Sequence, residues 1–524
     1  MSLIEKQRIG SFLCKTARCR LQKISWFPLT IILLLWPGGF QLHGFNAEVS
    51  VDEFVAHLNK LVPRLLKRHG VPGASLSLVR AGELVWSGAY GYADLEHQRP
   101  MTVDSICRVE SISKSVTAWG VMRLVEKGLI DLDEPAQKYL KTLDLPRFSQ
   151  SAREITVRRL LSGNAGLPLG TIGQSVEYPP GDGMPSLRDY LTDEIRLIRE
   201  PGSGFSYSNA GYNLLELLIE EVTGRDFSSY MADEVLAPLG MERSSFSWDE
   251  RFRPAMPMGY ELNGAPVPPY VYPARASGGL LATADDIARF IRAGLTGVPV
   301  DNGVLNPDII RQIHTPQVEI RGLYGLVAEG YGFGHFIETL SDGREAVWHG
   351  GQGHGWMSHF HAVPQSGDGI VILTNSQRSW PFIAEVLNSW SRWQGFKPVK
   401  MGRMAGAGKA LWALIVAVGL SSLYQAYRLA AGLRNGSRRL APLSPKSRIR
   451  RAIRFSFGIG VMSALAWSAA QPYLFIMSVF PVASIWAGYS LLVLAMINVV
   501  SACCPRLEPR NAGPQASGDL SGRA

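Results

Sequence analysis

Glu110-Ser111-Ile112-Ser113-Lys114-Ser115 opens a mostly apolar run that reaches Val125. Ser111 and Lys114 stand three residues apart, so one turn of helix sets the lysine amine beside the serine hydroxyl. A serine hydroxyl is a poor nucleophile at neutral pH and needs a neighbouring base. Lysine serves as that base only where desolvation or a nearby cation lowers its pKa, and a helix entering a core desolvates it. The helix N-terminus adds a positive dipole end where negative charge develops on the oxygen. Read alone, the same residues also fit an ordinary helix start with capping serines and a solvated lysine. No other S-x-x-K occurs in the chain.

Two later stretches join it. Phe205-Ser206-Tyr207-Ser208-Asn209 holds the only Y-x-N, just before a helical pattern, and Trp348-His349-Gly350-Gly351 holds the only H-x-G, after a strand-like run. Each alone fits a bland reading, a helix N-cap for Asn209 and a turn for the glycines. A Ser/Lys nucleophile, however, needs a second proton carrier for the leaving group, and a phenol near a lysine amine can supply it. An amide side chain two residues on can hydrogen-bond the substrate backbone. A strand ending in two glycines lets substrate lie close, with backbone N–H groups free to hold an oxyanion.

The surroundings narrow the function class. A chain of 524 residues exceeds one typical domain. Residues 1–47 carry six Lys/Arg against one acid, 401–524 carry fourteen against two, and 48–400 carry 33 against 41. The basic excess therefore sits at the two ends beside apolar segments, where it sets membrane orientation rather than nucleic-acid binding. Of the five cysteines only Cys107 lies in the middle region, which excludes an internal disulfide there, and no CxxC is present. Cys503 and Cys504 stand at a membrane edge where acylation is an option. No metal or other cofactor is expected. His349, His354, His359 and His361 offer a rival metal cluster, with His359 and His361 on one strand face, but no H-E-x-x-H is present and no acid lies between His349 and His361. A G-x-S-x-G elbow is also absent.

Along the chain, residues 1–47 read as a signal peptide or N-terminal anchor, basic and polar and then apolar from Trp26 to Trp36. Residues 48–400 form the expected hydrolase domain. A helix runs from Val51 to His69, with a kink or break expected at Pro63. Strands follow over Ala74–Val79 and Leu84–Tyr90. Helices are expected near Ile155–Leu161, Asn209–Thr223 and Ala284–Ala293. Short strands are expected at Gly334–Glu338, Ala346–Trp348, Met357–Ala362 and Gly369–Thr374, closed by a helix over Pro381–Trp393. Strands at both ends around a helical middle imply an α/β domain: an antiparallel sheet built from both ends with an inserted all-helical lobe. Residues 401–504 carry three apolar stretches, Ala410–Ala431, Phe455–Phe475 and Val482–Ala502, each long enough to span a bilayer as a transmembrane helix. The loop 434–454 holds eight positive charges and no acid, which places it in the cytoplasm and the 48–400 domain outside. Residues 505–524 read as a disordered cytoplasmic tail.

Together these motifs resemble the serine β-lactamase-like and penicillin-binding enzymes, especially the class C β-lactamase, D-aminopeptidase and esterase branch. The resemblance covers about 52–395, including Leu124-Val125-Glu126-Lys127-Gly128-Leu129, Tyr207-Ser208-Asn209-Ala210-Gly211-Tyr212 and Ser277-Gly278-Gly279-Leu280. It implies Ser111 as the acylated nucleophile, Lys114 as the amine that takes its proton, and Tyr207 as the acid/base shared with Lys114. Asn209 then orients substrate, His349 stands where many β-lactamases have the lysine of K-T-G, and Gly351 matches that motif's glycine. The backbone N–H groups of Ser111 and Gln352 form the implied oxyanion hole. The chain departs from the pattern at Gly163, where a histidine is expected, and its H-x-G resembles peptidase and esterase members more than true β-lactamases. Signal segment, domain and three spans together resemble the membrane-bound prodrug-activating peptidases of nonribosomal-peptide pathways. The expected partners are a small-molecule or peptide substrate and a lipid bilayer, with no nucleic acid; oligomeric state is open. Expected function is amide cleavage through a Ser111 acyl-enzyme, with an esterase or β-lactam hydrolase as the alternative. A non-catalytic sensor of cell-wall fragments is the rival from another class.

Overall fold

The computed structural model describes residues 49–146, 154–172, 176–181, 183–299, 302–440, 448–471 and 475–506. The expected signal segment and the tail beyond 506 lie outside the described residues. Among those described, the chain forms two compact units, a larger one of 49–412 with 460–492 and a smaller one of 413–459 with 493–506.

The larger unit is organised by a nine-stranded sheet, antiparallel at every pairing. Its strands in chain order are β1 (Gly73–Arg80), β2 (Glu83–Asp94), β3 (Arg99–Pro100), β4 (Val318–Glu319), β5 (Gly330–Tyr331), β6 (Phe336–Thr339), β7 (Glu345–Gly353), β8 (Trp356–Val363) and β9 (Asp368–Thr374). Across the sheet the order is β3-β2-β1-β9-β8-β7-β6-β5-β4. β1 therefore pairs with β9, Ala74 opposite Thr374, which joins the two ends of the domain. The helical middle is inserted between β3 and β4, as expected from the order of patterns. Leu76, Leu78, Ile370 and Ile372 point to one face, against α1 (Val51–His69) and α5 (Trp380–Trp393). Val79, Phe360, Val371 and Leu373 point to the other, against α2 (Ile112–Glu126), α3 (Asn209–Thr223) and α4 (Ala284–Ala293). The period of two in a strand is what lets one sheet serve both layers.

Helix α2 shows no polar stripe because almost all of it is buried, from Ile112 through Met122. It runs through the middle of the domain, with Trp119 against Phe290 of α4 at 5.4 Å between ring centroids. Helix α1 continues through Pro63 without the expected break. Pro63 and Asn59 both lie on the exposed face, where water can satisfy the carbonyl that loses its partner. The helix expected near Ile155 begins at Val157, because Thr156 caps it and accepts from the Arg159 N–H at 3.3 Å.

Among the described residues three helices are long and apolar enough to cross a membrane: α6 (Lys400–Arg434), α7 (Arg448–Ala469, uncharged from Phe455) and α8 (Pro481–Cys503). α6 starts ten residues before its apolar stretch, and its first residue is bound to the sheet layer: the Lys400 N–H donates to Glu338 Oε2 at 2.8 Å and its amine pairs with Glu329 at 3.0 Å. α7 ends at Ala469, short of the expected Phe475, just ahead of Gln471-Pro472, a dipeptide that disfavours helix.

Candidate active site

Ser111 lies at the N-cap of α2, directly after the two-stranded pairing of Cys107–Arg108 with Leu281–Ala282. The residue between, Glu110, holds a backbone φ of +50°, a strained value for a side chain with a Cβ. Three donors hold it there. Glu110 Oε1 accepts from Arg108 Nε at 2.9 Å and from the Tyr270 hydroxyl at 3.0 Å, and Oε2 accepts from the Tyr272 hydroxyl at 3.0 Å. That kink aims Ser111 into a cavity of about 340 Å³.

Lys114, one turn on, is completely buried. Its Nζ lies 3.1 Å from Ser111 Oγ and donates to the Ser277 carbonyl at 2.7 Å. Burial pulls its pKa from the ordinary lysine value down to about 7, opposed in part by the Glu110 charge. Ser277 sits in the Ser-Gly-Gly-Leu block, which runs alongside α2: the Leu280 N–H donates to Ser113 Oγ at 3.0 Å, and Thr117 donates to the Ala276 carbonyl at 2.9 Å. Within the block, a Cβ on Gly279 would stand 2.8 Å from Arg275 Cα, so the turn back onto Arg275 requires that glycine.

Tyr207 brings its ring to within 5.0 Å of Lys114 Nζ. It stacks on Tyr324 and Phe336, at 6.2 and 6.0 Å between centroids, and lies 6.1 Å from the His349 ring. The cap of α3 is Ser208 rather than Asn209: Ser208 Oγ accepts from the Gly211 N–H at 2.9 Å and donates to the Pro168 carbonyl at 2.6 Å. Asn209 is thereby released from capping and lines the cavity.

The third wall is β7. His349 and Gly351 point to the α2 side and Gly350 and Gln352 to the other, where the Trp380 indole donates to Gln352 Oε1 at 3.0 Å; His349, Gly350 and Gln352 all line the cavity. A Cβ on Gly351 would stand 2.1 Å from the Val109 carbonyl and 2.9 Å from Glu110 Cβ, so only glycine lets this strand reach the segment ahead of Ser111. His349 is buried and neutral: burial first, then the Lys114 charge, drive its pKa well below the usual histidine value. Its Nδ1 faces the Gly350 carbonyl at 2.8 Å and so carries the proton, which leaves Nε2 to accept from the Tyr331 hydroxyl at 3.3 Å. Unlike the lysine it replaces, it brings no charge.

All seven residues expected from sequence thus converge, with Ser111, Tyr207, Asn209, His349 and Gln352 lining one cavity. The four histidines of the rival metal reading do not. His359 and His361 lie on the opposite face of the sheet, 3.4 Å apart and buried, and His354 is held between two glutamates. Among the described residues no three potential metal ligands converge. At Gly163, φ is +62° and Phe205 packs within 3.1 Å of where a Cβ would be, so a histidine there would be strained. Glu110, Glu177, Tyr272, Ser277 and His354 also belong to this site. Ser277 lay inside a quoted block, while Glu177 sits in a loop with no motif to mark it.

The Beta-lactamase family model matches residues 58–386. Protein flp of Staphylococcus aureus strain N315 is 25% identical over 338 residues, which take in 63% of this chain and 65% of that protein. The chain thus spans about 65% of the length of that relative. Esterase EstB of Burkholderia gladioli is 28% identical over 380 residues, 63% of this chain and 92% of the esterase. Among solved structures, the octameric penicillin-binding protein homologue from Pyrococcus abyssi superposes with a TM-score of 0.57 at 26% identity, covering 66% of this chain and 78% of that one. With the matched region taking in most of the larger unit and every residue around the cavity from Ser111 to His354, the chain belongs to the beta-lactamase family.

Proposed function

We propose that this protein is a membrane-anchored serine hydrolase that cleaves an amide through a Ser111 acyl-enzyme. The observation that carries the reading is the Lys114 amine, buried, shifted to about 7 and 3.1 Å from Ser111 Oγ. In its neutral form one N–H stays on the Ser277 carbonyl and the lone pair faces the serine hydroxyl. Lys114 takes the Ser111 proton as Oγ bonds to the substrate carbonyl carbon. The oxyanion falls to the backbone N–H groups of Ser111 and Gln352, at the start of α2 and on β7. Tyr207, beside Lys114, passes a proton to the leaving nitrogen as the C–N bond breaks, and Asn209 orients the substrate amide. Water then attacks the ester carbonyl and its proton returns through the same pair, releasing the acid and restoring Ser111. Gly351 keeps β7 close enough for this, and neutral His349 shapes the wall beside Tyr207.

The finer assignment is a D-amino-acid-containing peptide or an acyl-peptide prodrug, cleaved on the extracytoplasmic side of the inner membrane. Three membrane-length helices and the uncharged His349 in place of a lysine support it. An esterase is the second reading, favoured by the likeness to EstB. A hydrolysis panel of acyl-D-amino amides, D-alanyl peptides, short esters and β-lactams separates these. Active-site labelling separates both from a sensor: a hydrolase releases a substrate-derived adduct, whereas a sensor keeps it.

A further inference from the structure

The cavity wall around Glu177 and His354 carries a charge pattern that the hydrolase chemistry does not use. The residues lining the cavity include Glu110 and Glu177, and among the described residues they include no lysine or arginine. Glu110 is fully engaged by Arg108, Tyr270 and Tyr272. Glu177 is engaged on one side only. Its Oε2 holds His354 Nδ1 at 2.8 Å, and His354 Nε2 is held in turn by Glu261 Oε1 at 2.9 Å. The other oxygen, Glu177 Oε1, is buried with no hydrogen-bond partner, on a side chain only 7% exposed. Asn213, one turn beyond Asn209 on the same cavity wall, has a second buried acceptor, Oδ1, also without a partner.

Glu177 is not loosely placed. Tyr178 forms a two-way backbone bridge to Val271, at 3.0 and 2.8 Å, between the two tyrosines that hold Glu110. A buried acceptor without a donor is costly, more so when it belongs to a carboxylate. Two carboxylates, Glu177 and Glu261, grip the single His354 ring and act to raise its pKa against the effect of burial, so even a protonated ring offsets only one of them.

We infer, resting on the hydrolase reading, that the substrate carries a protonated aliphatic amine that seats on Glu177 Oε1, and that substrates ending in a free carboxylate are disfavoured. An ammonium supplies both the missing donors and the missing charge. A carboxylate meets a neutral His349 and two glutamates. Burial raises the Glu177 pKa, His354 pulling it partly back, and a bound ammonium favours the charged form.

The test uses the full chain in detergent and 4-nitroanilides that carry a free α- or ω-amine, each beside its N-acetylated and its succinylated counterpart. The expected result is a kcat/KM at least tenfold higher for a free-amine member than for its N-acetyl partner, with the succinyl compound lowest. In Glu177→Gln that preference ratio falls about tenfold, through KM. An equal or reversed ratio in the wild type, or an unchanged ratio in Glu177→Gln, overturns the inference. Should Glu177→Gln not fold, the wild type decides: hexylamine slows fluorophosphonate labelling more than hexanol does, and equal slowing overturns the inference. Fluorophosphonate labelling of Ser111 is read first. Its absence sinks the hydrolase reading itself, whereas labelling with a flat amine ratio sinks only the amine seat.

Discussion

Lys114 has no route to water and only one carbonyl to donate to besides Ser111, so its proton affinity is set by desolvation. The unfolded chain keeps a proton on this lysine up to about 10.5, while the folded chain holds it only below about 7. Between those values the unfolded state binds the extra proton, so this group's contribution to stability rises with pH across that window. The same shift fixes the reactivity. Acylation of Ser111 by a fluorophosphonate should rise with pH through a single ionisation near 7 and then level off. In Lys114→Met that limb should vanish and the rate fall by about 10²- to 10⁴-fold, as read by stopped labelling against pH. A profile in the variant that still turns near 7 would assign the ionisation elsewhere. Ser111→Ala, by contrast, should lose labelling outright and lower substrate turnover by at least about 10³-fold, with the circular dichroism spectrum unchanged.

At the scale of elements, catalysis depends on how closely β7 approaches the turn ahead of α2, and glycine sets that distance. Gly351→Ala drives a methyl group against the Val109 carbonyl and the Glu110 side chain, both backed by the core. The expected cost is at least about 1–3 kcal/mol of stability, together with loss of Ser111 labelling, checked by thermal melts alongside the labelling assay. Wild-type labelling in a stable Gly351→Ala protein would show that the strand need not sit so near. These elements were legible to different degrees. Asn209–Thr223 and Ala284–Ala293 match to the residue: the second has one buried face that writes its period into the sequence, while the first is buried all round from Ala210 to Ile219 and is marked by the Ser208 and Gly224 caps at its ends. β4 and β5 are two residues long and have no period to show. The runs read as Ala346–Trp348 and Leu84–Tyr90 extend to Glu345–Gly353 and Glu83–Asp94, since glycines that look like turn signals are the positions where the strands meet neighbours. The S-x-x-K, Y-x-N and H-x-G residues were readable because their chemistry needs fixed local spacing. Glu177 and His354 were not, because 177 residues separate two groups that only the fold brings together.

For the whole molecule the decisive question is which side of the membrane holds the cavity. α6 and α7 flank a segment from Arg434 to Arg454 with eight lysines and arginines and no acid, the pattern retained on the cytoplasmic side. We propose that α6 crosses once, which would put the domain that ends at Lys400 on the opposite side and turn a glutamate-lined cavity without lysine or arginine toward the extracytoplasmic space. A phosphatase fused after Arg439 should be inactive and a fluorescent protein at the same point bright, while the reverse pair of readings overturns the orientation. Replacing the basic residues of this loop with glutamine tests the cause rather than the outcome. If their charge holds the loop inside, losing it should raise the exported fraction of the Arg439 fusion and lower Ser111 labelling by an impermeant probe on intact cells in the same proportion. Labelling that stays constant while the fusion reporter changes sides would separate the hydrolase domain's export from the helices that follow it, and would leave the N-terminal apolar segment as the element that directs it.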